Sequence, residues 1–168
     1  MKLLVSAGTS TEDKEMRKER WLEFHDRFTS GIPGIFTGII DLPVRFTESL
    51  GKEAREMGVF KHARGILRGM ELEETEKQRL AALPDAEVVL SRRPAKMYIE
   101  VPTGTKKIPT VGGKKIFTLR PQRKQWSLDK GGIVKISRFG FPLVPDFGGT
   151  AHAYCGTTQE ANLGDLLP

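Results

Sequence analysis

Near the end of the chain, Thr150, His152, Gly156, Thr157 and Thr158 fall within the run Gly148-Gly149-Thr150-Ala151-His152-Ala153-Tyr154-Cys155-Gly156-Thr157-Thr158. Hydroxyls of this kind, with amides freed by neighbouring glycines, bond phosphate oxygens, because glycine lets the backbone turn tightly and approach an anion closely. The same residues also make a plain strand-to-helix turn capped by threonine, and the two roles are compatible. His152 with Cys155 offers a different chemistry, a nucleophile pair or half of a metal site. A cysteine nucleophile needs a base and an orienting third group, and a zinc site needs further ligands, so the pair alone is a poor basis for either.

A second chemistry is cationic. Residues 1–91 hold 14 Lys or Arg against 16 Asp or Glu, whereas residues 92–138 hold 13 against two, Glu100 and Asp129, a net of +11. Residues 139–168 hold no Lys or Arg. A block so biased attracts a polyanion by releasing its counterions. Lys114, Lys115, Arg120, Arg123 and Lys124 form its densest part. Trp126 stands beside Arg123 and Lys124, and Tyr98 near Arg92, Arg93 and Lys96, which is the composition of a groove where bases stack. The alternatives are a solvated β surface for the cations and ordinary core positions for the two aromatics.

The elements that must position these groups are legible in outline. Ser10 and Thr11 precede Glu12 and Asp13, and the Met16, Trp21, Phe24, Phe28 spacing lays one apolar stripe on a helix ended by Gly31, Pro33 and Gly34. Ile35–Ile40 is apolar and β-branched and leads into a short strand over Asp41–Thr47, entered through Pro43. Glu71–Leu83 is unbroken by Gly or Pro and is expected to be a surface helix. Strands are expected at Glu87–Leu90, Met97–Val101, Lys115–Leu119 and Ile133–Arg138, separated by Pro-Thr-Gly, Val-Gly-Gly and Lys-Gly-Gly. Short strands at this spacing imply a small barrel or sandwich.

Three segments taken together resemble a known family. Arg138, Pro142, Leu143, Thr150, His152, Gly156 and Thr158 are in register with motif V of RecD-like and Pif-type superfamily-one DNA helicases, although Ala153, Tyr154 and Cys155 stand where Lys, Ser and Gln are usual. Leu42-Pro43-Val44 through Thr47 is similar to the strand that begins the small barrel inserted in these helicases. Phe60–Gly69 is similar to the turn and strand that follow it. The resemblance implies an α+β, β-rich chain: an N-terminal helix and connecting strand over 1–41, an inserted SH3-like barrel over 42–138, and a strand-turn-helix piece of a RecA-like motor domain over 139–168. It also implies DNA as the partner, single strand before duplex, with Thr150, His152, Gly156, Thr157, Thr158 and Arg138 near its backbone. Lys114, Lys115, Arg120, Arg123 and Lys124 join them from the charge pattern.

Length and motifs bound the activity. At 168 residues the chain is shorter than a helicase motor, so a missing motor segment is the implied partner. Gly51-Lys52 and Gly113-Lys114 lack both the earlier glycine and the following Ser or Thr of a phosphate-binding loop, so no ATPase activity is expected of the chain alone. ATP and Mg belong, on the resemblance, to a full-length helicase. The alternative is a stand-alone basic β-barrel that binds nucleic acid or protein without motor function. No apolar run of membrane-spanning length occurs, and a single cysteine allows no intrachain disulfide, so an intracellular protein of nucleus or cytoplasm is expected.

Overall fold

The computed structural model describes residues 29–82, 89–127 and 135–146. Within them the chain runs β1 (Pro43–Phe46), α1 (Lys52–Glu56), β2 (Arg64–Glu71), α2 (Glu74–Ala81), β3 (Lys96–Glu100), β4 (Thr110–Val111), β5 (Lys114–Leu119), β6 (Gln122–Ser127), β7 (Lys135–Gly140) and β8 (Leu143–Pro145). All ladders are antiparallel. They form a six-stranded sheet, β4-β5-β3-β2-β1-β8, and a two-stranded ribbon, β6-β7. The architecture is β-rich α+β, and among the described residues both sheets are open.

Alternation explains which face is core. Val44 and Phe46 of β1, Leu67 of β2, Met97 and Ile99 of β3, Leu119 of β5 and Leu143 of β8 are buried and point to one side. Val59, Val101 and Ile108 close that side from the connecting segments. Each such side chain contributes roughly 1.5–3 kcal/mol by leaving water. Phe46 and Phe117 meet edge to face at 6.0 Å, the geometry that ring quadrupoles favour. α1 covers this core through Ala54, and Gly58 lets its exit turn back tightly.

Two local devices shape the sheet. Gly112 and Gly113, at φ 56° and 79°, form the two-residue turn between Val111 and Lys114, and such primed turns match the twist of a hairpin. In β2 the register shifts between Leu67 and Gly69, leaving Arg68 as the extra residue of a bulge.

The strands expected over 42–47, 97–101 and 115–119 are present, and that expected over 133–138 is found at Lys135–Gly140. The helix expected over 71–83 occupies Glu74–Ala81. Val89 and Leu90 belong to no strand, and the apolar stretch 35–40 forms no strand either, with Ile35, Ile39 and Ile40 exposed. The helix expected ahead of Gly31 lies outside the described residues.

Candidate nucleic-acid interface

The ribbon is built by register. Arg123 pairs with Phe139, Gln125 with Ser137 and Ser127 with Lys135, while Gln122 pairs with Gly140, Lys124 with Arg138 and Trp126 with Ile136. Paired residues of an antiparallel ladder share a face, so the first set lies on one side and the second on the other. Ile136, Arg138 and Gly140 are buried, which makes the second side the inner one.

Arg138 is therefore turned inward. It is 6% exposed, its Nη1 donates to Thr29 Oγ1 at 3.1 Å and to the Ile32 carbonyl at 2.8 Å, and its guanidinium lies 5.3 Å from the Trp126 ring. Burial pulls its pKa below the ordinary arginine value. Thr29 in turn donates to the Ile32 carbonyl at 2.7 Å. Arg138 thus fastens residues 29–32 to β7, away from the ribbon's outer face.

That outer face carries a feature the sequence reading missed. Arg93 lies over the Phe139 ring at 4.4 Å and donates from Nη1 to the Phe139 carbonyl at 3.0 Å, and Arg123 lies 5.9 Å from the same ring. Exposed contacts of this kind contribute about 0.5–1 kcal/mol each. Lys135 is exposed at the far end of the ribbon, and Arg120 at its entrance. No carboxylate among the described residues pairs with Arg93, Arg120, Arg123, Lys124 or Lys135.

The other cations expected in the patch are engaged differently. Lys114 lies at the β4-β5 turn, 3.8 Å from Glu100. Lys115 donates to the Gly104 carbonyl and approaches that of Pro102 at 3.5 Å, so it ties down the 102–104 turn. Along the solvent side of the large sheet the charges are matched. Asp146 meets Arg45 and Arg64, Arg68 meets Glu100 and Asp41, and Lys96 meets Glu71 at 2.7 Å. Arg68 is held above its ordinary value by hydrogen bonds first to Glu100 and then to Asp41. Glu71 is held below the usual carboxylate range by Lys96 and then Tyr98, and its bond to the Tyr98 hydroxyl, 2.9 Å, lifts that phenol. Tyr98 is thereby a member of this polar lattice.

Glu76 of α2 organises the chain that leads to Arg93. It is 3% exposed, receives the Ser91 N–H at 2.9 Å and its hydroxyl at 2.6 Å, and pairs with Arg79, which also reaches the Val89 carbonyl at 2.9 Å. The Arg79 and Ser91 hydrogen bonds lower its pKa to about 2.

Thr150, His152, Gly156, Thr157 and Thr158 lie outside the described residues, as does Cys155. Among the described residues no group of three or more His, Cys, Asp or Glu is placed to hold a metal ion, and no helix is long and apolar enough to cross a membrane.

Fold and surface together define an open antiparallel β protein with a cationic ribbon. No family model matches the sequence. No curated protein matches it. Among solved structures, the crystal structure of Pif1 helicase from Candida albicans is similar at a TM-score of 0.48 and 12% identity, over 90% of this chain and 36% of that one. The chain spans about a third of that protein's length, and a likeness this distant assigns no role to any residue.

Proposed function

We propose that this chain is the strand-guiding part of an ATP-dependent DNA helicase, binding single-stranded DNA along the β6-β7 ribbon and holding no ATP site of its own. In the finer form of this reading, residues 42–138 complete a small SH3-like barrel and residues 139–168 belong to a RecA-like motor domain. Thr150, His152, Gly156, Thr157 and Thr158 then touch the strand backbone. ATP and Mg are bound by motor sequence that this chain does not contain.

One observation carries the reading. Arg120, Arg123 and Lys135 lie along the ribbon without carboxylate partners among the described residues, whereas Arg45, Arg64, Arg68 and Lys96 of the large sheet meet carboxylates. Free cations on a ribbon are what a phosphate chain would displace counterions from.

The test is anisotropy of labelled oligo(dT) between about 50 and 200 mM salt. Changing Arg120, Arg123 and Lys135 together to Ala is expected to reduce the log–log salt slope by about 2, at roughly 0.7 per single-strand phosphate contact. Changing Lys114 and Lys115 to Ala is expected to alter it far less. Salt-independent or absent binding by the unaltered chain would refute the proposal.

A stand-alone interaction module is the second reading, favoured by a core that the described sheet closes with its own residues. An in-frame Gly-x-x-x-x-Gly-Lys-Thr segment upstream in the coding sequence decides for the motor.

A further inference from the structure

Beside the ribbon lies a cleft of about 480 Å³, walled by Glu73 and the segment Leu90–Ala95 on one side and by Pro121 and Phe139 on the other. This falls in the usual range for small-ligand sites, about 300–1,000 Å³. The first wall is fixed in place. Ser91 is bonded through N–H and hydroxyl to the buried Glu76, Arg92 pairs with Glu73, and the Ala95 N–H donates to the Glu71 carbonyl at 2.8 Å.

Arg93 stands between the walls. Its guanidinium carbon lies 4.4 Å from the centre of the Phe139 ring, and its Nη1 donates to the Phe139 carbonyl at 3.0 Å. The side chain is exposed and lines the cleft, within reach of a ligand that enters it. A guanidinium plane is a platform on which an unpaired base stacks, and a side chain already immobilised loses little further rotamer freedom when one arrives. Arg123 sits 5.9 Å from the same ring, within reach of the phosphate next to such a base.

We propose that this cleft receives one unstacked base of a single-stranded DNA. The base stacks on the Arg93 guanidinium, which the Phe139 ring supports, while the flanking phosphates lie against Arg123 and Arg120. The proposal rests on the strand-binding reading above and adds the place and the group that hold a base.

The experiment titrates the full chain into oligo(dT) carrying one 2-aminopurine, whose fluorescence falls when it stacks. With the unaltered chain, binding quenches the probe. Arg93→Lys keeps the charge and loses the plane, so it is expected to weaken binding about ten-fold at an unchanged salt slope and to remove the quench. Phe139→Leu keeps apolar bulk but removes the ring beneath the guanidinium, and is expected to move both readouts the same way. If the unaltered chain binds with a salt slope while Arg93→Lys binds as tightly with the same quench, the base pocket is overturned and the ribbon stands. If the unaltered chain binds no single strand at any salt, both fall together.

Discussion

Glu76 is a carboxylate whose worth depends on its charge. Three donors converge on it, the Ser91 N–H, the Ser91 hydroxyl and the Arg79 guanidinium, and all three require an acceptor. Its pKa, lowered from 4.5 to about 2, means that the folded chain holds the proton less tightly than the unfolded one. Stability from this group is therefore fully present above about pH 4.5 and is lost as the pH falls toward 2. Glu76→Gln keeps the size but offers only one acceptor oxygen and no charge. Thermal unfolding should show the variant melting below the unaltered chain near neutral pH, with the gap narrowing below about pH 4.5 and closing as the pH falls toward 2. A gap that stays constant across that range would show that the carboxylate's charge is not what holds Ser91. At the same scale, Arg138 and Phe139 show what the sequence did and did not disclose. Strand alternation puts the two on opposite faces, and Ile136, two residues before Arg138, signals that Arg138 goes inward with it. The motif register drew attention to Arg138 as a DNA contact, while the ring that organises the outer face was Phe139. Its partner Arg93 is 46 residues away, a pairing that no local pattern encodes.

Among the elements, those that bury apolar residues at alternate positions were readable and those that do not were missed. β3 and β5 carry Met97, Ile99, Phe117 and Leu119 on one face and emerge as expected. β6, Gln-Arg-Lys-Gln-Trp-Ser, has one apolar residue, and what makes it a strand is its ladder with β7 rather than its own propensity. α1 is five residues long and set between Gly51 and Gly58, too short for a helical period to register. Gly65 shows how closely the strands around the core approach. A Cβ there would stand 2.5 Å from Ile99 Cγ2 and 2.8 Å from the Glu100 carbonyl oxygen, and the second contact is backbone that cannot swing aside. Gly65→Val should destabilise the chain by about 1–3 kcal/mol, since overpacking shifts the ladder between β2 and β3. Gly69, on the same strand, would meet only Tyr98 Cδ2 at 3.6 Å, so Gly69→Ala should cost well under half as much. Urea unfolding of the two variants checks the contrast, and equal costs would mean that the close approach at Gly65 is not what limits β2.

Among the described residues charge is segregated: Arg45, Arg64, Arg68 and Lys96 of the large sheet meet carboxylates, whereas none pairs with Arg120, Arg123 or Lys135 at the ribbon. On the proposed reading, such a surface holds a polyanion. The two glycine-lysine pairs bear on whether the chain also holds ATP. Gly113-Lys114 is consumed by the β4-β5 turn, where both glycines have positive φ and the lysine enters a strand. Gly51-Lys52 opens α1, but Glu53 occupies its first turn, where a phosphate-binding loop has a hydroxyl, and its carboxylate would repel a triphosphate. The chain alone is thus expected to bind oligo(dT) and yet to leave ATP hydrolysis at background, with or without the strand. Adding the strand tests coupling as well as catalysis. A single-strand-stimulated release of phosphate above background, abolished by changing Lys52 to Ala, would place a nucleotide site at α1 and overturn the division of labour. Background release alongside salt-dependent binding is the expected pair of results, since a cationic ribbon can hold a strand and neither glycine-lysine pair carries the residues of a phosphate-binding loop.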